Sequence, residues 1–200
     1  FTTLVDRRIE KDGTVVSDIG QPLALGGITD GVTNMELNAA YAAIANQGNY
    51  VKPKLYTKIV DHNGNVLIDN TTPIKKQVIK ESTAWLLTNA MEDVVNGRGT
   101  GGSANFGNMA IAGKTGTTTD YKDVWFAGYT PYYTATVWTG YDNNVSLKSS
   151  AEKNLSKTLW KQVMSKIHEN LEYRSFPMAS GIVTAAVCSK SGKLPIQGVC

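Results

Sequence analysis

Apolar residues recur along this chain at the helical period in three stretches and at alternate or consecutive positions in several shorter ones. Thr33 and Glu36 stand three apart, and Met35, Leu37, Ala40, Tyr41 and Ile44 follow at roughly helical spacing before Gly48. A Thr hydroxyl can accept the amide three residues on while the Glu reaches back, so the stretch predicts a capped helix with one buried face, stopped near Gly48. Residues 55 to 69, "LYTKIVDHNGNVLID", carry β-rich arms on either side of Asn63-Gly64 and predict a hairpin. A second helix is predicted around 80 to 96, with Trp85, Leu86, Met91, Val94 and Val95 as its apolar set and Gly97 as its stop.

A glycine-rich loop, "NGRGTGGSANFGN", follows at 96 to 108, and then three strand-like runs, 109 to 117, 123 to 130 and 133 to 141, the last two joined by a tight turn at Thr130-Pro131-Tyr132. Links this short favour antiparallel neighbours. A third helix, about 154 to 171, places Leu155, Leu159, Trp160, Val163, Ile167 and Leu171 on one amphipathic stripe suited to lie on a sheet. Strands grouped together and covered by helices make the expected fold class α+β, an antiparallel sheet packed by helices. Residues 1 to 172 read as one unit, and 173 to 200 as an extended arm or hairpin and candidate linker. The aromatics Trp125, Tyr129, Trp138 and Tyr141 are expected to pack in the core and sheet, since aromatics on strands usually do.

Composition narrows the classes. Two hundred residues suffice for one domain with a real core, 42% hydrophobic and 18% charged is ordinary for a globular protein, and no apolar run reaches the roughly 18 residues of a membrane span. A formal charge of +3, with Lys and Arg scattered singly, gives no electrostatic footprint for nucleic acid. The chain opens at Phe1-Thr2-Thr3-Leu4 without an initiator Met or a basic-then-apolar leader, and is expected to be a piece of a longer protein. Cys188 and Cys200 flank a Gly- and Pro-containing stretch, which leaves a local disulfide and a pair of free thiols both open. His62 and His168 lie far apart, so no metal-ligand cluster and no Ser-His-Asp set is visible, and no cofactor is called for.

The candidate chemistry lies at 110 to 131, "AIAGKTGTTTDYKDVWFAGYTP". Gly113-Lys114-Thr115 has the closing letters of a phosphate-binding loop, but the first glycine of that motif would fall on Asn108, with Gly107 one place too early. Downstream, residues 123 to 129 are strand-like where such a loop needs a helix, so the nucleotide reading fails in frame and in context. A cation, two hydroxyls and a position without a side chain, set on a strand beside a flexible loop, suit an extended ligand ending in a carboxylate. Lys114 supplies charge, Thr115 and Thr117 donate hydrogen bonds, Gly116 lets the ligand approach, and a strand amide can serve an oxyanion.

In these residues the chain resembles the serine penicillin-binding proteins, and among them the transpeptidase domain of bifunctional, class A peptidoglycan synthases. K-T-G belongs to that superfamily's signature together with S-x-x-K and S-x-N. Three letters are a weak match, but "LALGGITDGVTNMELNAAYAAIANQGNYVKP" (23 to 53), "GRGTGGSA" (97 to 104), "AGKTGTTTDYKDVWFAGYTP" (112 to 131) and "TATVWTGYDNN" (134 to 144) resemble the family's stretches in its order. The resemblance implies a serine β-lactamase/penicillin-binding-protein-like fold, incomplete in this chain. It implies that Lys114 organises proton transfer and attracts the substrate carboxylate, that Thr115 and Thr117 bind it, and that the Thr117 amide forms half of an oxyanion hole. It implies a peptidoglycan stem peptide and β-lactam antibiotics as ligands, the extracytoplasmic face of a bacterial membrane as location, and the N-terminal half of the same enzyme as partner.

The nucleophile is the missing part. In the family S-x-x-K and S-x-N precede K-T-G, whereas the matches here, Ser150-Ala151-Glu152-Lys153 and Ser103-Ala104-Asn105, lie after it and only just before it. Both read as chance: Ser150 stands in a polar stretch expected to precede the third helix, and Ser103 in the glycine loop. The chain alone is therefore expected to be inactive. Two other readings share some of these features: a serine β-lactamase or D,D-carboxypeptidase, with water as acceptor, and a non-catalytic cell-wall binding module.

Overall fold

The computed structural model describes residues 1–97 and 99–198. Two short strands, β1 (Arg8–Ile9) and β2 (Val15–Val16), pair antiparallel near the start, and a 3-10 turn follows at Gln21–Leu25. This segment carries no strong period in the sequence and is held by polar contacts. Asp18, only 6% exposed, accepts hydrogen bonds from the Val5 amide and from the amide and hydroxyl of Thr29, all at 2.6 to 2.7 Å.

Helix α1 (Asn34–Ala45) starts where Thr33 accepts the Glu36 amide at 3.2 Å. Half of the expected reciprocal cap is replaced: the Glu36 carboxylate accepts from the Thr33 hydroxyl and from the Thr2 amide, tying the N-terminal segment to the helix. Gly48 ends the turn after the helix at φ +85°, donating its amide to Ala43 O, and a Cβ there would lie 2.1 Å from Ile79 O. β3 (Asn49–Val51) pairs antiparallel with β6 (Lys75–Gln77), and between them β4 (Lys58–Val60) and β5 (Val66–Asp69) form the expected hairpin. Of the Asn63-Gly64 pair only Gly64 has positive φ. The loop is shaped by Asp61, whose carboxylate accepts the amides of Asn63 and Asn65.

Helix α2 (Glu81–Asn96) leads through the glycine loop, with its 3-10 turn at Gly102–Ala104, into the main sheet: β7 (Ala112–Thr117), β8 (Asp123–Tyr129) and β9 (Thr134–Gly140), antiparallel in that order. The three predicted strands and their short links are present, with β7 starting at Ala112, three residues later than expected. A 3-10 turn at Thr119–Tyr121 connects β7 to β8. On one sheet face Phe126 meets Trp160 and Met164 of α3 (Ser150–Ile167), with Val95, Ala104, Phe106 and Ile111 completing that core. On the other, Tyr129 and Ala112 pack with Met91 of α2 and with Tyr41 and Ile44 of α1.

Two expectations are corrected. Helix α3 begins four residues earlier than predicted, because Ser149 caps it in a full capping box with Glu152, and it buries a different line. Ser156, Trp160, Met164 and the following His168 face the sheet, while Leu155, Leu159, Val163 and Ile167 remain exposed. The indole of Trp160 donates to Ala135 O at 3.0 Å, which anchors the helix at that rotation. Of the four strand aromatics Tyr129 is fully buried, and Trp125 and Trp138 pack on each other across the sheet with ring centroids 6.5 Å apart, as expected, but the expected burial fails for Trp138 and Tyr141. Trp138 donates to Asp123 Oδ1 at 2.9 Å and Tyr141 to Glu152 Oε1 at 2.5 Å, and both are exposed.

Beyond α3, residues 172–198 form no helix or strand. The arm still packs: Phe176 stands edge-on to Tyr129 with ring centroids 5.4 Å apart, and Ala179 is buried. In place of a hairpin there is a turn, with the Cys188 amide donating to Lys193 O and the Gly192 amide to Cys188 O. Cys188 is buried; Cys200, the other half of the expected cysteine pair, lies outside the described residues.

Candidate active site

β7 forms one edge of the sheet, and the usefulness of Lys114 to Thr117 depends on what that edge presents. One pair beyond Thr117↔Val124, Thr118 donates its amide to Asp123 O at 3.1 Å. Ladder bonds alternate along an antiparallel pair, so Ala112, Lys114 and Gly116 exchange bonds with β8, and the amides of Thr115 and Thr117 point to the open edge. Side chains follow the same period: Thr115 and Thr117 share the face of their partners Phe126 and Val124, whereas Lys114 lies on the face of Ala127. Two hydroxyls stand side by side on one face, the outward amides run between them, and a cation sits on the other face within reach around the edge.

Lys114 is exposed and its ammonium donates to Thr115 O at 3.0 Å, curled back on its own strand. Thr115 is half-buried and Thr117 exposed. Gly116 lies opposite Trp125, and a Cβ there would come 3.3 Å from Trp125 Cβ, so the position has little room for a side chain even before any ligand arrives. The far end of the strand is locked by Asp123, whose carboxylate accepts from the Thr118 hydroxyl at 3.1 Å and from the Trp138 indole, and whose amide donates to Thr118 Oγ1 at 2.8 Å.

The glycine loop folds over the same face. Gly101 donates its amide to Val94 O at 2.9 Å, and a Cβ on Gly99 would fall 2.5 Å from the Val94 backbone, so only glycine permits this close return onto the end of α2. The return sets Thr100 against β7, where its hydroxyl lies 2.7 Å from that of Thr115, and Lys157 of α3 donates to Thr100 O at 3.2 Å. Sequence reasoning recognised the loop but gave Thr100 no role, because the contact joins residues far apart in the pattern.

The two decoy motifs are differently placed. Ser150 is the first residue of α3 with Lys153 one turn on, not in a stretch before the helix as expected; the early start set by the Ser149 cap is the reason. Ser150 is nevertheless exposed, its Oγ accepts only a long 3.4 Å bond from Asn154, and Lys153 Nζ sits 4.3 Å from the Tyr121 ring centroid. Ser103 is exposed in a 3-10 turn, and Asn105 donates to Asn96 Oδ1 at 2.8 Å. No Ser–Lys nucleophile pair set in a buried helix is found among the described residues. A groove of about 790 Å³ between α1 and the β3–β6 pair, lined by Met35, Ala39, Tyr50 and Leu87 among others, includes none of the β7 residues.

A family model for the penicillin binding protein transpeptidase domain matches residues 2–165, reaching N-terminal of the stretch that carries the resemblance. The chain is 41% identical over 175 residues to penicillin-binding protein 1A of Clostridium botulinum (strain Langeland), covering 88% of this chain and 21% of that protein. It is 35% identical over 201 residues to penicillin-binding protein 1A of Clostridium tetani, covering 98% and 25%. Among solved structures, the PonA1 protein of Mycobacterium tuberculosis in complex with penicillin V superposes with a TM-score of 0.70 at 29% identity, over 84% of this chain and 46% of that one. The chain belongs to the penicillin-binding protein transpeptidase domain family. It spans about a fifth of the length of the curated relatives it matches.

Proposed function

We propose that this chain forms the strand side of a serine D,D-transpeptidase site that cross-links peptidoglycan stem peptides and is acylated by β-lactams. The observation that carries the reading is the open edge of β7, with two hydroxyls on one face, outward amides at Thr115 and Thr117, and Lys114 within reach. In this reading Lys114 attracts the terminal carboxylate of the stem peptide and organises proton transfer, the Thr115 and Thr117 hydroxyls bind that carboxylate, and Gly116 lets the peptide lie against the strand. The Thr117 amide forms half of the oxyanion hole, where a preorganised donor lowers the barrier to the tetrahedral intermediate.

The nucleophilic serine and the S-x-N residues come from a segment outside this chain. The serine Oγ bonds to the carbonyl carbon of the penultimate D-Ala, the C–N bond to the terminal D-Ala breaks, and that D-Ala leaves with the proton. An amine of a neighbouring strand then attacks the ester and restores the serine hydroxyl. A β-lactam enters the same first step, its ring C–N bond opening without release of a fragment. Residues 1–172 make up the C-terminal part of the transpeptidase domain and 173–200 an arm. The substrate places the site on the extracytoplasmic side, and no described helix is long and apolar enough to cross a membrane.

Intact-mass spectrometry after incubation with a labelled penicillin tests this. The expected result is one adduct on the protein that carries this chain together with its upstream segment, and none on the chain alone. An adduct on the isolated chain would overturn the assignment of the nucleophile and return attention to Ser150. A full-length protein that binds stem peptide reversibly without any adduct would make the chain part of a binding module instead.

A further inference from the structure

The Thr115 hydroxyl carries one proton. If it is to donate that proton to a ligand carboxylate, whatever else touches its oxygen must itself be a donor. Among the described residues, the side chain on that oxygen is Thr100, whose hydroxyl lies 2.7 Å away, a separation at which either oxygen can donate. Nothing on β7 controls which way this pair is polarised. The loop that delivers Thr100 is in turn held from two sides, by the Gly101 amide on Val94 O at 2.9 Å and by Lys157 Nζ on Thr100 O at 3.2 Å. Its glycines are there because the return passes too close to α2 for side chains at Gly99.

We propose that Thr100 is a positioning residue for the carboxylate-binding step: its hydroxyl donates to Thr115 Oγ1 and so leaves the Thr115 proton directed at the ligand. The inference rests on the transpeptidase reading above and adds to it a loop residue that acts only through Thr115. With no ligand bound, either hydroxyl of the pair can be the donor. A carboxylate selects the one in which Thr100 donates to Thr115 and Thr115 donates to the carboxylate, a two-member chain in which each bond strengthens the other. Lys157 holds the loop from α3 through Thr100 O.

The test uses the full-length protein and two penicillin probes, the free acid and its methyl ester, with acylation rate constants measured for each. The wild-type enzyme should prefer the acid. Thr100→Val keeps the shape, removes the donor, and should cut the acid-over-ester preference about tenfold, chiefly through weaker binding before acylation, with little change in the limiting rate. Thr100→Ser should restore the preference, and Thr100→Val should add nothing in a Thr115→Val background. A preference left intact in Thr100→Val overturns the proposal, and so does an equal slowing of both probes, which would mark a residue that only supports the fold. Loss of all acylation in Thr100→Val with a wild-type preference in Thr115→Val also counts against it. No acylation of the wild-type enzyme by either probe would sink the transpeptidase reading itself, and this inference with it.

Discussion

Buried polar atoms at single residues place sharp demands on substitution. His168 is 6% exposed and donates from Nδ1 to Met164 O at 2.6 Å, so its Nε2 accepts from the Thr130 hydroxyl at 2.8 Å. The same Thr130 oxygen accepts the amides of Tyr132 and Tyr133 at 3.1 and 3.2 Å, building the β8–β9 turn around one hydroxyl. Thr130→Val should therefore strand a ring nitrogen and two amides and cost roughly 2–3 kcal/mol, read by urea unfolding, whereas Thr130→Ser should cost well under half of that. On β7 the expected effects are on chemistry. On the function proposed above, Lys114→Met in the full-length protein should lower the second-order acylation constant by roughly two orders of magnitude, while leaving the unfolding midpoint nearly unchanged, since the side chain is exposed. A variant that unfolds early but acylates normally once folded would reverse that assignment.

Elements in this chain are decided by their ends as much as by their faces. Glu152 stabilises the start of α3 in the charged form: the Tyr141 hydroxyl, then the Ser149 amide and hydroxyl and the Lys148 amide, all donate to its carboxylate and hold its pKa down at about 2. A carboxyl with a lowered folded-state pKa contributes stability that is complete above its ordinary value near 4.5 and is lost as pH falls from there toward about 2. Glu152→Gln should unfold a few degrees below wild type at pH 7, and the gap should close across that window. A constant gap down to pH 2 would show that the carboxylate charge is not what the cap uses. At the other end of α1, Gly48 combines φ +85° with a Cβ position 2.1 Å from Ile79 O, so Gly48→Ala should cost roughly 2–4 kcal/mol, well above the ordinary penalty for a left-handed alanine.

At the scale of the whole molecule, Trp160 is the largest side chain that fastens α3 to the sheet, beside Met164 and His168. Trp160 is fully buried, meets Phe126 edge-on at 4.9 Å and Phe106 at 6.0 Å, and donates to Ala135 O. Trp160→Ala should cost about 3–5 kcal/mol by unfolding and, on the function proposed above, also slow acylation of the full-length protein, because Lys157, which holds Thr100, rides on the same helix. Trp160→Phe keeps the ring contacts and loses the indole bond, and should fall between the two.

The local pattern by itself determined the helices near 34–45 and 81–96, the three strands of the sheet, the turn at Gly64 and the strand that bears Lys114 to Thr117, because period, caps and turn residues act over a few neighbours. It also carried the family, through stretches long enough that chance does not produce them in order. Tertiary structure decided what depends on distant partners. Which line of α3 is buried was set by where the Trp160 indole finds Ala135 O and by a cap that starts the helix at Ser150, and the Leu155–Ile167 stripe, apolar in sequence, was left outside. The outward direction of the Thr115 and Thr117 amides follows from the β7–β8 register, which no single strand contains. The Thr100–Thr115 contact exists only because a glycine loop returns across the end of α2, a closeness set by the packing of backbone on backbone rather than by any pattern along the chain.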